Sequence, residues 1–159
     1  MKKILLIVAS LLTTSVATAQ DLISVTAQPH LYCLAQNIYY EARGSSRADQ
    51  MAVSDVVLNR VKDSRYPNTI CEVVYQGKQR PSWKDPTKMV MVRNMCQFSW
   101  YCDGKKDQPP EGDAWRNAQM VAYEMYYLYK DANITNGATH YHAFYVSPEW
   151  AKRFIFRGR

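Results

Sequence analysis

The chain has 159 residues, 20 Lys+Arg against 14 Asp+Glu, and a formal net charge of +6. That length is one domain, and 47% hydrophobic with 21% charged usage excludes an intrinsically disordered chain. Six Gly and seven Pro are too few for a collagen-like or low-complexity protein. The aromatic set is lopsided, with 12 Tyr beside 4 Trp and 4 Phe. Tyrosines in that number suit a groove with an apolar face and a wet edge, although many must be core.

Residues 1–19 read as a secretory signal peptide. Lys2 and Lys3 form the basic start, Ile4 to Val16 carries no charge, and Ala17-Thr18-Ala19 offers small residues for cleavage before Gln20. The uncharged run is short and Ser/Thr-diluted for a spanning helix, with a retained anchor as the alternative. Cleavage leaves 18 basic against 14 acidic residues, a net +4. Such a charge suits an anionic polymer, and export favours a polymer of the cell envelope over nucleic acid.

The first helix is predicted from about Leu31 to Arg43, because Leu31, Leu34, Ala35, Ile38 and Ala42 recur at three- and four-residue spacing and Gly44 follows. Ser46-Arg47-Ala48-Asp49 has the form of a capping box. The helix it opens should reach Val61 and bury Val53, Val56, Val57 and Val61. Asn68 is positioned to cap a short helix through Val74. Gln76 to Lys88 reads as a polar surface loop, with a brief helix near Thr87 to Arg93. Gln97 to Tyr101 alternates like a strand, and Asp103-Gly104 is its turn. Asp113 caps a long helix to about Lys130, with Ala118, Val121, Ala122, Met125 and Tyr129 inward. Ala138 to Val146 alternates as a second strand, and four of the last eight residues are basic. The expected class is α+β, a helix-rich domain with a small antiparallel sheet.

The four cysteines, Cys33, Cys71, Cys96 and Cys102, all follow the signal segment. An even count in an exported chain points to two disulfides, for which three pairings exist. Cys96 and Cys102 can close a hairpin, in which case Cys33 and Cys71 tie two helices. A zinc site competes, but no Cys-x-x-Cys pair is present.

Three segments can carry chemistry. Glu41 stands in the last turn of the first helix, where the negative end of the helix dipole and a pocket walled by Tyr39 or Tyr40 raise a carboxyl pKa. A carboxylic acid that stays protonated is what a general acid requires. The competing reading is a surface Glu paired with Arg43 or Arg47. In Thr139-His140-Tyr141-His142, strand geometry puts His140 and His142 on one side and Tyr141 on the other. That pair can bind metal with Glu41, hydrogen-bond a sugar, or be satisfied by local carbonyls. In Gln97-Phe98-Ser99-Trp100, Gln97 and Ser99 face away from Phe98 and Trp100. No Gly-x-Ser-x-Gly elbow and no Gly-rich phosphate loop occur. Glycosidases normally use two carboxylates, and no second acid among the five Glu has an arguable placement.

Taken in order, five segments resemble the cell wall hydrolases of the SleB/CwlJ type, named after spore cortex-lytic enzymes. They are Asn37-Ile38-Tyr39-Tyr40-Glu41-Ala42-Arg43-Gly44, Gln50 through Val61, Tyr66 through Gln76, Cys96-Gln97-Phe98-Ser99-Trp100, and Gly137-Ala138-Thr139-His140-Tyr141-His142-Ala143. The resemblance implies a lysozyme-like, lytic-transglycosylase-like domain over residues 20–159 that cleaves peptidoglycan between N-acetylmuramic acid and N-acetylglucosamine. It places the catalytic Glu at Glu41, and Gln97, Ser99, His140, Tyr141 and His142 around the substrate groove. A transglycosylase needs one Glu alone, acting first as acid and then as base. No cofactor or metal is implied. The partners are peptidoglycan glycan strands, with no nucleic acid and no membrane contact beyond the signal segment, and the enzyme is expected as a secreted or periplasmic monomer serving wall remodelling or lysis. There is no room for a separate wall-binding repeat domain, and the cysteines suggest an oxidising periplasm rather than a spore. The basic segment Lys152 to Arg159 can hold the anionic wall or merely solvate the end. Two other functions stand beside this one: a metal-dependent wall amidase or peptidase using His140, His142 and Glu41, and a non-catalytic wall-binding protein.

Overall fold

In the computed structural model the described residues are 27–142, 147 and 149. The signal segment, the basic tail and most of 143–159 lie outside them. The elements are α1 (Pro29–Ala42), α2 (Arg47–Lys62), α3 (Ile70–Val74), β1 (Gly77–Pro81), β2 (Met89–Cys96), a 3-10 turn at Ser99–Cys102, and α4 (Asp113–Tyr127). This is the expected α+β class, four helices with one antiparallel two-stranded sheet.

α1 is the central helix, packed against α2, α3 and α4. Its predicted stripe is buried, with Leu31, Leu34, Ala35 and Ile38 wholly inaccessible. The rest of its circumference is also covered, as expected of a helix enclosed on all sides. Gln36 and the Asn37 side-chain oxygen are tolerated there because they are hydrogen-bonded, while Asn37 Nδ2 is buried with no partner among the described residues. Gln36 Nε2 donates to the Asp107 carbonyl at 2.7 Å, the Tyr75 hydroxyl donates to Gln36 Oε1, and Trp100 Nε1 donates to Asn37 Oδ1 at 3.1 Å.

The capping box at the start of α2 forms as expected, Ser46 accepting from the Asp49 amide and Asp49 from the Ser46 amide. Val53, Val56, Val57 and Leu58 are buried, while Val61 is only partly so. α3 is capped by Thr69, not by the predicted Asn68. The Thr69 Oγ1 accepts from the Glu72 amide at 3.3 Å and donates to the Glu72 carboxylate at 2.7 Å.

The sheet lies where a loop and a brief helix were predicted. Val90 and Val92 favour extended backbone. Asp85 builds the connecting turn, its carboxylate accepting from the Thr87 amide and hydroxyl and its carbonyl from the Lys88 amide. Pairing shifts register between Gly77 and Gln79, opposite a bulge containing Asn94 at φ 58°. A Cβ at Gly77 would lie 2.7 Å from Cys96 Sγ, so glycine is required where the strands meet.

Residues 97–101 are not a strand. The Cys96–Cys102 disulfide holds its two Cα atoms 6.1 Å apart, whereas an extended run of that length spans roughly 20 Å. The segment therefore curls into the 3-10 turn, and the bridge closes this turn rather than a hairpin. The expected alternation in burial nevertheless holds, with Phe98 and Trp100 buried and Gln97 and Ser99 exposed. Likewise α4 ends at Tyr127 rather than Lys130 and has Gly112, not Asp113, as its N-cap. Ala118, Val121, Ala122 and Met125 face inward, but Tyr129 is beyond the helix and exposed.

The second disulfide joins Cys33 in α1 to Cys71 in α3 across 38 residues. Loop-closure entropy makes that bridge worth about 4 kcal/mol. Reduction should therefore lower the melting temperature well beyond what loss of the short Cys96–Cys102 loop produces. Scanning calorimetry of a Cys33→Ser/Cys71→Ser variant with and without reductant separates the two.

Candidate active site

Glu41 occupies the last turn of α1, at the exposed end of the buried helix. Neither surface partner considered for it is engaged: Arg47 pairs with Glu124 of α4, and the Arg43 guanidinium lies over the Tyr39 ring at 5.0 Å. Tyr39 packs edge-on against Trp115, and Tyr40 stacks on Trp100 with centroids 4.6 Å apart. What reaches Glu41 instead is Tyr141, whose hydroxyl donates to Glu41 Oε2 at 2.9 Å across a hundred residues of sequence.

Burial raises the Glu41 pKa above its ordinary value, while the Tyr141 hydrogen bond and the Arg60 charge act in the opposite direction. Tyr141 is 41% exposed, but desolvation of its hydroxyl end and Glu41 push that hydroxyl strongly upward, so it remains a hydrogen-bond donor throughout the physiological range. Arg60 is only 4% exposed. Its guanidinium lies between the Tyr66 and Phe98 rings, 5.3 and 5.2 Å from their centroids. Its Nε donates to the Thr139 carbonyl at 2.8 Å, and its Nη1 is buried with no hydrogen-bond partner among the described residues.

Residues 138–142 are not a strand, and the reason lies in α2. Asn59 Nδ2 donates to the Ala138 carbonyl at 3.1 Å, and Arg60 takes the next carbonyl. One turn earlier, the fully buried Asp55 accepts from the Thr135 amide at 2.8 Å, the Thr135 hydroxyl at 2.6 Å and Asn59 at 3.2 Å. Asn133, Asn136 and Gly137 adopt φ values of 51°, 53° and 75°, turning the chain back toward α2. The backbone that would have laddered with a strand is instead held by three side chains of one helix face. This clasp sets the 139–142 segment against the end of α1.

The two histidines divide. His140 Nδ1 is 3.0 Å from Thr139 Oγ1, and its ring lies 6.4 Å from that of Tyr66. Burial first, then Arg60 and Arg65, lower its pKa, which favours the neutral imidazole. His142 is exposed. Among the described residues no three His, Cys, Asp or Glu side chains converge as a metal-binding group, so Glu41, His140 and His142 do not form the ligand set considered from sequence. Gln97 and Ser99 are exposed on either side of Phe98, the ring beneath Arg60.

Beside this cluster runs an open groove of about 820 Å³ lined by residues that include Tyr66, Asn68, Glu72, Tyr75, Gln76 and Met91. Glu41 does not line it. Tyr66 connects the two, since its ring contacts Arg60 on one side and borders the groove on the other.

The profile of the cell wall hydrolase family matches residues 44–157, well over half of the chain. The chain belongs to the cell wall hydrolase family. The clasp residues and the 137–142 segment fall inside the matched stretch, whereas Glu41 lies three residues before it. Two spore cortex-lytic enzymes of Bacillus cereus are 36% identical to this family member over 52 residues, 33% of this chain and 20% of each relative. The matched segment thus spans about a fifth of those relatives' length. No solved structure matches the chain.

Asp55, Asn59 and Arg60 were not singled out from sequence as site residues, although they lie in one of the resembling segments. The available signal was a helix with too many polar residues on its inward side, since Ser54, Asp55 and Arg60 interrupt an otherwise apolar stripe.

Proposed function

We propose that this family member is an exported peptidoglycan-cleaving enzyme, a lytic transglycosylase acting between N-acetylmuramic acid and N-acetylglucosamine. The observation that carries the reading is the state of Glu41. It is a carboxyl group whose pKa burial raises, with a neutral donor and a buried cation beside it; what opposes burial is the Tyr141 hydrogen bond and the Arg60 charge, and among the described residues no carboxylate acts on it. Burial favours the protonated acid, and the two neighbours reduce the cost of the ionised form that follows proton donation.

In the proposed cycle, protonated Glu41 gives its proton to the glycosidic oxygen as the C1–O bond breaks. The Glu41 carboxylate then takes the proton of the muramic acid C6 hydroxyl, and O6 bonds to C1 to close a 1,6-anhydro ring. Glu41 ends protonated, so neither water nor a second nucleophile is consumed. Tyr141, Gln97, Ser99, His140 and His142, none of which lines the groove beside Tyr66, are assigned to substrate contacts on the Glu41 side of it, with Tyr141 nearest the developing oxocarbenium charge. Mass spectrometry of products from purified peptidoglycan tests the cycle: fragments ending in 1,6-anhydro-muramic acid are expected. Reducing ends would replace it by hydrolysis, and released peptides with intact glycan would overturn it.

The pH profile gives a second check. Rate requires protonated Glu41, so it falls as pH rises through the Glu41 pKa. Tyr141→Phe removes an influence that lowers that pKa, and the alkaline limb should therefore move to higher pH. A limb that moves down or stays fixed contradicts the hydrogen bond's assigned role.

A further inference from the structure

The β1–β2 hairpin is an arm that the proposed chemistry does not use. It meets the rest of the domain chiefly through the 3-10 turn, to which the Cys96–Cys102 bridge joins it. Its 20 residues, 77–96, carry Lys78, Arg80, Lys84, Lys88 and Arg93 against the single acid Asp85, so four of the chain's six net positive charges sit there. All five cations are exposed. Among the described residues, the arm's only ion pair is Lys88 with Asp85 at 3.3 Å. Arg93 turns back to the Asp103 carbonyl, leaving Lys78, Arg80 and Lys84 exposed and, among the described residues, without an acidic partner.

At the outer end stands Trp83, 79% exposed, the most exposed large apolar side chain described. Beside it the cross-strand pair Pro81 and Met89 continues the apolar tip, with Met89 56% exposed. A projecting indole flanked by cations is poorly explained by folding, because it buries nothing. It is also poorly shaped for stacking on sugar, since Lys84 Nζ lies over the ring at 5.3 Å and no second ring extends the platform. The rings suited to sugar, Tyr66 and Tyr75, are in the groove at the arm's base.

We infer that the Trp83-tipped hairpin is a docking arm for an anionic phospholipid surface. Indole and methionine enter the boundary between headgroups and acyl chains, where tryptophan partitions, while Lys78, Arg80 and Lys84 meet the lipid phosphates. The arm thereby holds the domain beside a membrane, independently of the chemistry at Glu41.

The test uses the full chain and a reading local to the arm: the Trp83 fluorescence, taken as the difference between the unaltered protein and Trp83→Phe. Vesicles of phosphatidylglycerol with phosphatidylcholine, carrying brominated acyl chains, should shift this component to the blue and quench it. Vesicles of phosphatidylcholine alone should leave it unchanged. Lys78→Gln/Lys84→Gln should require about 30-fold more anionic lipid, each cation near such a surface being worth roughly fivefold. Trp83→Phe should cleave soluble glycan strands at the unaltered rate. A Trp83 signal that does not move, that moves equally on neutral vesicles, or that moves instead on soluble anionic wall polymer overturns the assignment.

Discussion

Glu41→Gln is expected to lower the rate of glycan cleavage by about 100-fold or more, the typical loss when a general acid is removed. Glutamine preserves the shape and can still accept the hydrogen bond from Tyr141, so the melting temperature should hardly change. The half-buried acid in fact opposes stability above its raised pKa. Its folded form prefers the proton more than the unfolded chain does, so its contribution to stability is fully present below the unfolded pKa and is lost as pH rises through the folded one. An amide has no such dependence, and Glu41→Gln should be relatively more stable on the alkaline side. A variant that is folded and still cleaves glycan would remove Glu41 from the mechanism. The comparison also separates the enzyme from a non-catalytic wall-binding protein, whose behaviour the substitution would leave intact.

Asp55→Ala should have the largest effect on stability among single site-region changes. Asp55 is 1% exposed and accepts three hydrogen bonds, from the Thr135 amide, the Thr135 hydroxyl and Asn59. Losing these leaves the half-buried Thr135 donors unpaired and a cavity at a buried position, at a cost of about 3 kcal/mol, or a melting temperature roughly 10 °C lower for a domain of this size. Activity should fall further than the folded fraction accounts for, because the clasp presents Tyr141 to Glu41. Measured well below the melting temperature, the rate should be depressed and the alkaline limb displaced upward, as for Tyr141→Phe. A destabilised variant with normal rate and pH profile would reduce Asp55 to a structural residue. Asn59→Ala combined with Asp55→Ala should be less damaging than the sum of the two, since both act on one loop.

The Tyr66 ring ties this clasp to the groove. Arg60 lies over it, and the same residue lines the cavity that Glu41 does not reach. Substrate held along the groove would thus be registered against the acid through the residues that also hold Tyr141 in place. Asp55 and Arg60 occupy buried positions of α2, where a polar side chain is costly unless it is hydrogen-bonded.

What could be read from sequence was local. The apolar spacing of Leu31, Leu34, Ala35 and Ile38 marks a helix whichever way the chain folds, and Ser46 with Asp49 caps the next through contacts three residues apart. Alternating burial through Gln97-Phe98-Ser99-Trp100 was legible for the same reason, even though the backbone proved to be a turn. Glu41 could be singled out as a candidate because it sits at a helix end inside a recognisable segment. The failures share one cause: β1, the 3-10 turn and the 138–142 segment take their shape from distant partners. β1, with little strand propensity in Gly-Lys-Gln-Arg-Pro, forms because β2 lies beside it. Residues 97–101 curl because a disulfide closes over them, and residues 138 and 139 leave the extended ladder because Asn59 and Arg60 take their carbonyls. The sequence by itself therefore determined the helices, the Ser46–Asp49 capping box and the family motifs, since neighbours along the chain supply those energies. Only the tertiary structure decided that Tyr141, Arg60 and Glu41 meet, because hydrogen bonds and charges act through a few ångströms of space, whatever the separation along the chain.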